Sequence, residues 1–151
     1  MTTVFVDADA SPVTRPTISL ARRRGMRVVL VANVTQNLDR YAGRAGVEVV
    51  QVSTGRDAAD FAVIERLAPG DVVVTQDTGL AAMALGRGAA AISVRGHVFT
   101  LAGIDAELAF RHAEQRHRRS GGRTRGPLPF LDEDLEHFEA MLERLLDAMG
   151  T

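Results

Sequence analysis

Short runs of valine, isoleucine and leucine alternate along this chain with longer stretches in which apolar residues recur every three or four positions. Continuous runs such as Val28-Val29-Leu30-Val31-Ala32 suit strands covered on both faces, because a half-exposed strand would alternate apolar and polar residues instead. The pattern predicts strands at 4–6, 28–31, 47–52, 71–75 and 91–94, with helices near 17–24, 38–45, 58–67 and 79–85. Strands separated by helices imply βαβ units. The expected fold class is therefore α/β: three layers, a mainly parallel sheet of about five strands, and helices on both faces. Gly25, Gly46, Gly70 and Gly88 fall where helices are expected to stop.

Two stretches depart from this rhythm. Ser11-Pro12 reads as an N-cap followed by a first-turn proline, but Pro16 one turn later lacks the N–H that should bond back, so the first helix is expected to kink or begin late. Past the last strand, 105–119 reads as a helix with Asp105 near its start, and 116–130 as a mobile segment rich in arginine and glycine. Residues 131–149 are the most regular: Leu131, Leu135, Phe138, Leu142, Leu145 and Met149 form one apolar stripe, and Asp132, Glu133 and Asp134 sit where the helix dipole favours negative charge. That stripe covers either the chain's own core or a second copy, making the protein a monomer or a homodimer through this helix. Residues 1–151 read as a single domain.

Composition narrows the chemistry. With no cysteine, disulfides, thiolate metal sites and cysteine nucleophiles are excluded. No signal-peptide pattern opens the chain and no apolar run approaches the roughly 20 residues that span a bilayer, so a cytoplasmic protein without a membrane partner is expected. All 18 Lys/Arg-type residues are arginine, and residues 111–125 hold six of them against one acid, a concentrated positive field along the sequence. The four histidines, His97, His112, His117 and His137, lack the spacing of a helical metal pair and read as solvated helix faces. G-x-G-x-x-G, P-loop and G-x-S-x-G signatures are absent.

Aspartates mark the strand ends. Asp7 and Asp9 follow the first strand, two apart and so directed the same way while strand geometry holds. Asp57 and Asp60 open a helix on one face of it, and Asp77 ends Thr75-Gln76-Asp77 after the fourth strand. Each also has an ordinary structural role available: Asp57 and Asp77 as N-caps, Asp9 as a turn cap, Asp60 as a first-turn acid favoured by the helix dipole. Asp60, on the inner side of its helix with Ile64 and Leu67 further along, is the hardest to explain that way. Thr75 offers a hydroxyl to orient a carboxylate or a metal-bound water. Asp71 opens the fourth strand at the opposite edge and is set aside. Carboxylates gathered at the carboxyl ends of parallel strands repel by roughly 1–4 kcal/mol per close pair, and a divalent cation with oxygen ligands would relieve them.

The blocks Val6-Asp7-Ala8-Asp9-Ala10-Ser11-Pro12-Val13, Asp57-Ala58-Ala59-Asp60, Gly70-Asp71-Val72-Val73-Val74-Thr75-Gln76-Asp77-Thr78-Gly79-Leu80-Ala81 and Gly122-Arg123-Thr124-Arg125-Gly126-Pro127 resemble the YaiI/YqxD family of uncharacterised bacterial proteins, over about 4–142. Ser11 stands where that family usually has cysteine. The family is grouped with PIN-like nuclease domains, which implies a PIN-like fold and a metal-dependent nuclease acting on RNA rather than DNA. By that resemblance Asp7, Asp60 and Asp77 are catalytic acids and ligands of Mg²⁺ or Mn²⁺, with Asp9 auxiliary and Asp57 a further candidate ligand. Arg119, Arg123 and Arg125 would grip the phosphates of single-stranded nucleic acid. Two alternatives stay open. One is a non-catalytic RNA- or metal-binding module of the same fold. The other is a haloacid-dehalogenase-like phosphatase using Asp7 as nucleophile and Asp9 as acid/base, although that class holds its phosphoaspartate with a lysine, rarely an arginine, and this chain has no lysine.

Overall fold

A computed structural model describes residues 1–9, 11–33, 38–41, 43–53, 55, 57–122 and 128–150. Five strands form one sheet: β1 (Thr3–Asp7), β2 (Arg27–Asn33), β3 (Val47–Val52), β4 (Val72–Val74) and β5 (Ala90–Ile92). Their order across the sheet is β3-β2-β1-β4-β5 and every pair is parallel. Among the described residues there are five α-helices: α1 (Thr14–Arg23), α2 (Ala58–Arg66), α3 (Thr78–Gly86), α4 (Leu101–Arg119) and α5 (Asp132–Met149). The three-layer α/β architecture expected from the pattern is the one observed.

The register explains why the central strands are apolar throughout. Phe5 aligns with Val29 of β2 and Val73 of β4, and side chains alternate across each strand. Val4, Val6, Val28, Leu30, Val72 and Val74 face one core, closed by Ile18, Leu20 and Ala21 of α1 and by Phe138, Leu142 and Leu146 of α5. Phe5, Val29, Val31 and Val73 face the other, closed by Ala62 and Val63 of α2, by Leu80, Ala81 and Ala84 of α3, and by Phe99 and Ile104. Each valine, leucine, isoleucine or phenylalanine among them, taken from water, contributes about 1.5–3 kcal/mol, so both faces must be apolar for the sheet to stay sandwiched.

Several boundaries differ from the sequence reading. The helix expected at 38–45 is only a short 3-10 turn, Asp39–Tyr41. Gly43 and Gly46 adopt φ of +82° and +78°, which no α-helix accommodates, and the stretch is too short to nucleate one. The first helix neither kinks nor starts at 17. It begins at Thr14, so Pro16 falls in the first turn, where backbone N–H groups have no helical partner to lose. Val13 occupies the N-cap position; Ser11, expected there, instead accepts a hydrogen bond from the Val13 N–H at 3.3 Å. Strand β5 ends at Ile92 because the chain turns back, Ile92 pairing antiparallel with Val98. In the last helix the stripe centres on Phe138, Leu142 and Leu146, all fully buried, whereas Leu131 precedes the helix and is exposed. This stripe packs on the chain's own core. Its N-terminus is secured by Asp134, which accepts from the Leu131 N–H at 2.9 Å and pairs with Arg95 at 2.6 Å.

Candidate active site

The strand order makes a crevice before any side chain is considered. From β1 the chain moves outward through β2 to β3, then crosses to β4 on the other side of β1 and continues to β5. Connections leave the carboxyl ends of β1 and β4 in opposite directions, and loops diverging there leave a gap where ligands bind in sheets of this kind. Asp7 is the last residue of β1, and Thr75, Gln76 and Asp77 lead from β4 into α3. Asp7 shares its strand face with Phe5 and so points toward the layer of α2, α3 and α4.

Hydrogen bonds join the two strand ends. The buried Thr75 hydroxyl donates to Asp7 Oδ2 at 3.1 Å and accepts from the Asp77 N–H at 2.9 Å. Asp77 caps α3, its Oδ1 accepting from the N–H groups of Gly79 at 2.8 Å and Leu80 at 3.3 Å. The same oxygen receives Arg111 Nη1 of α4 at 2.6 Å. A Cβ on Gly79 would lie 3.1 Å from that carboxylate and 3.4 Å from the guanidinium, so the glycine leaves room for the contact. Asp9 points elsewhere. Its Oδ1 accepts from the Asn33 N–H at 3.1 Å and ties the end of β2 to the loop after β1. The strand ends at Asp7, so the shared direction expected for the Asp7 and Asp9 side chains is not maintained.

Electrostatics place the acids in one field. Burial pushes the Asp7 carboxyl up to about 6, the Thr75 hydrogen bond lowering it and the charges of Asp9 and Asp77 raising it further. Burial likewise lifts Asp60 to about 6, with Asp77, Asp7 and Asp57 adding to the rise and Arg111 opposing it. Asp60, half-buried in the first turn of α2, therefore feels the charges at the ends of β1 and β4. Asp57 is the exposed N-cap residue of α2, and its side chain makes no capping bond. Asp71, at the opposite edge, is 4 % exposed and accepts from the N–H groups of Thr3 and Ala68, which makes it a structural staple.

Beside the acids lies a cleft of about 800 Å³ between the start of α3 and one side of α4, lined by Asp7, Gln76, Asp77, Thr78, Ala106, Glu107, Phe110, Arg111, Glu114, Gln115 and Arg118. Helix α4 begins at Leu101 with Thr100 as its cap, so Asp105 is an exposed residue of its second turn rather than its opening one. Residues 116–119 belong to this helix and not to a loop. Arg118 lines the cleft; Arg119, one residue on, is exposed outside it. Arg123 and Arg125 lie outside the described residues. Arg111 and Phe110 have no individual role in the sequence reading, because periodicity along α4 does not reveal which turn overhangs the crevice. His97 is not on a helix: it pairs with Glu107 at 2.5 Å and meets Phe99 edge-to-face.

The donor set suits a hard cation in kind, being carboxylate oxygen throughout. Its arrangement is more restrictive. Among the described residues no three histidine, aspartate or glutamate side chains stand close enough to share one ion. Asp77 is committed to Arg111 and its cap, and Asp9 to β2. An ion that keeps most of its water, as Mg²⁺ commonly does, needs only one or two carboxylates.

Comparison with known proteins gives the lineage. The model of the YaiI/YqxD family, described as uncharacterised, matches residues 5–148. The chain belongs to this family. It is 45% identical over 143 residues to a UPF0178 protein of Exiguobacterium sibiricum, covering 95% of each chain. It is 38% identical over 146 residues to one of Enterococcus faecalis, covering 95% of this chain and 96% of that one. The UPF0178 protein ABC1688 of Shouchella clausii is 40% identical over 149 residues, 99% of this chain and 95% of its own. No solved structure matches. Among the described residues of this YaiI/YqxD member, no helix is long and apolar enough to cross a membrane.

Proposed function

We propose that this protein hydrolyses phosphodiester bonds of single-stranded nucleic acid, using Mg²⁺ or Mn²⁺ held by Asp7 and Asp60. What supports the reading is that Asp7 and Asp77 line the β1/β4 crevice and Asp60 lies within their electrostatic field, Asp7 and Asp60 each lifted to about 6, mainly by burial. Carboxylates held at such cost in a cleft are candidates for function. When bound, the ion supplies charge neutralisation on the phosphate and an activated water. The chain's own groups do the rest. The Thr75 hydroxyl and the Asp9 N–H orient the Asp7 carboxylate. Arg111 spends Nη1 on Asp77 and keeps further donors for a phosphate oxygen. Phe110, 67% exposed beside Asp77 in the cleft lining, presents a ring on which a base stacks. The preference for RNA over DNA rests on the resemblance to PIN-like domains alone.

A second reading, a binding module without turnover, is favoured by one observation: Asp77 is neutralised by Arg111 rather than left for an ion. A cleavage assay on a labelled oligonucleotide with and without Mn²⁺ separates the two. The nuclease reading expects cleavage that requires the ion and disappears in Asp77→Asn while binding survives. Binding without metal-dependent cleavage supports the module. Release of phosphate from small phosphomonoesters, with no oligonucleotide bound or cut, supports the phosphatase.

A further inference from the structure

A second positive surface lies on α1, within a stretch, 15–27, that holds five arginines and no acid. On α1, Arg15, Ser19, Arg22 and Arg23 occupy positions i, i+4, i+7 and i+8 and so share one face, with about 10.5 Å of helix rise between Arg15 and Arg22. Arg44, from the turn before β3, joins them, and together with Ile18 they line a cleft of about 430 Å³. No acid lines it. Among the described residues none of these four arginines enters an ion pair. The neighbouring Arg24 shows the contrast: it faces α5 and is paired with both Glu143 and Asp147. Four like charges on one face repel one another, and no carboxylate among the described residues pairs with them to offset it.

We infer that this face binds the phosphate backbone of a polynucleotide strand, at a site separate from the β1/β4 crevice. Guanidinium groups match phosphate oxygens in pairs, and a row of them without acids is the footprint of a polyanion. An anionic membrane fits less well. A helix that binds a bilayer inserts an apolar face, and the apolar residues of α1 are already buried in the core, Ile18 and Leu20 at 3% exposure. The layer of α1 lies across the sheet from Asp7 and Asp60, but Arg15 is in its first turn, at the carboxyl edge. A strand that leaves the crevice over this edge meets Arg15 first and then runs down α1. Use of both sites by one strand rests on the proposed nuclease reading; binding by the α1 face alone does not.

The test is a salt titration of binding to a short single-stranded RNA that fills only the crevice and to one several times longer, with Asp77→Asn to suppress cleavage. Replacing Arg15, Arg22 and Arg23 together by glutamine should weaken the long strand at least tenfold and leave the short one unchanged. With roughly 0.7 ion released per phosphate contact on a single strand, the log–log salt slope for the long strand should fall by about 2. A melting temperature no lower than that of the wild type confirms that the variant is folded, and the single variant Arg22→Gln should give a smaller loss of binding in the same direction. Equal affinity and slope for wild type and triple variant on the long strand would overturn the inference. So would a loss confined to vesicles of phosphatidylserine and phosphatidylcholine. Strand binding through α1 without cleavage by any form of the protein would sink the nuclease reading and leave this one standing.

Discussion

At the scale of single residues, function turns on groups held in costly states. Asp7 has a folded pKa of about 6 against an ordinary 3.8. Between those values the native state holds more protons than the unfolded chain, so the stability this group contributes falls as pH rises through that window and stays low at neutral pH. Asp7→Asn removes the buried charge and keeps an acceptor for Thr75. It should be more stable than the wild type at pH 7.5, by about 1–2 kcal/mol, and the advantage should vanish near pH 4. Calorimetric melting temperatures at the two values decide this; an equal difference at both would contradict the assignment. Arg111 makes the opposite case. Its ion pair with Asp77 is partly exposed, so Arg111→Ala should cost about 0.5–1 kcal/mol in stability. Under the nuclease reading, the same variant should lower cleavage at least tenfold in a single-turnover assay. A rate loss no larger than the stability loss explains would make Arg111 a structural partner only.

Among the elements, helices α4 and α5 separate stability from function. Phe138 of α5 is fully buried between sheet and helix, and Phe138→Ala should cost about 3–5 kcal/mol by urea denaturation. Phe110 of α4 is mostly exposed. Phe110→Ala should leave the unfolding midpoint where it is and weaken oligonucleotide binding by about 1–3 kcal/mol, the usual worth of one stacked base. A substantial loss of stability in that variant would mean the ring packs rather than binds. The same two helices show what is legible along the chain. The stripe of α5 is readable because every turn repeats it, and the strand cores because both faces are covered. Residues 38–45 mislead because a helical spacing of apolar residues carries no information about Gly43 and Gly46, whose backbone conformation stops the helix. Arg111 and Phe110 are invisible because their place in the cleft lining comes from how the middle of α4 packs, which is a fact of tertiary structure.

For the molecule as a whole, topology does what no local signal could. Asp7, Asp60 and Asp77 are far apart in sequence, and it is the reversal of strand order at β1 and β4 that brings their charges into one field. Strands read from periodicity anticipate that edge. They do not reveal that Asp9 is spent on β2 or that Asp77 is answered by an arginine, since hydrogen-bond partners are not written in spacing. The arginines of α1 are neighbours in the sequence, but only the fold brings Arg44 to them. A divalent ion bound to this edge should raise the melting temperature by mass action. The rise should be larger at pH 7.5 than at pH 5, where Asp7 and Asp60 hold protons that the ion must displace. The central claim, that the carboxylates of this crevice hold a catalytic ion, is met most directly by anomalous diffraction from a crystal soaked in Mn²⁺. One peak bound directly by Asp7 and Asp60 is the predicted result. Saturating Mn²⁺ with no peak in the crevice, and with Asp60 undisplaced, would contradict it.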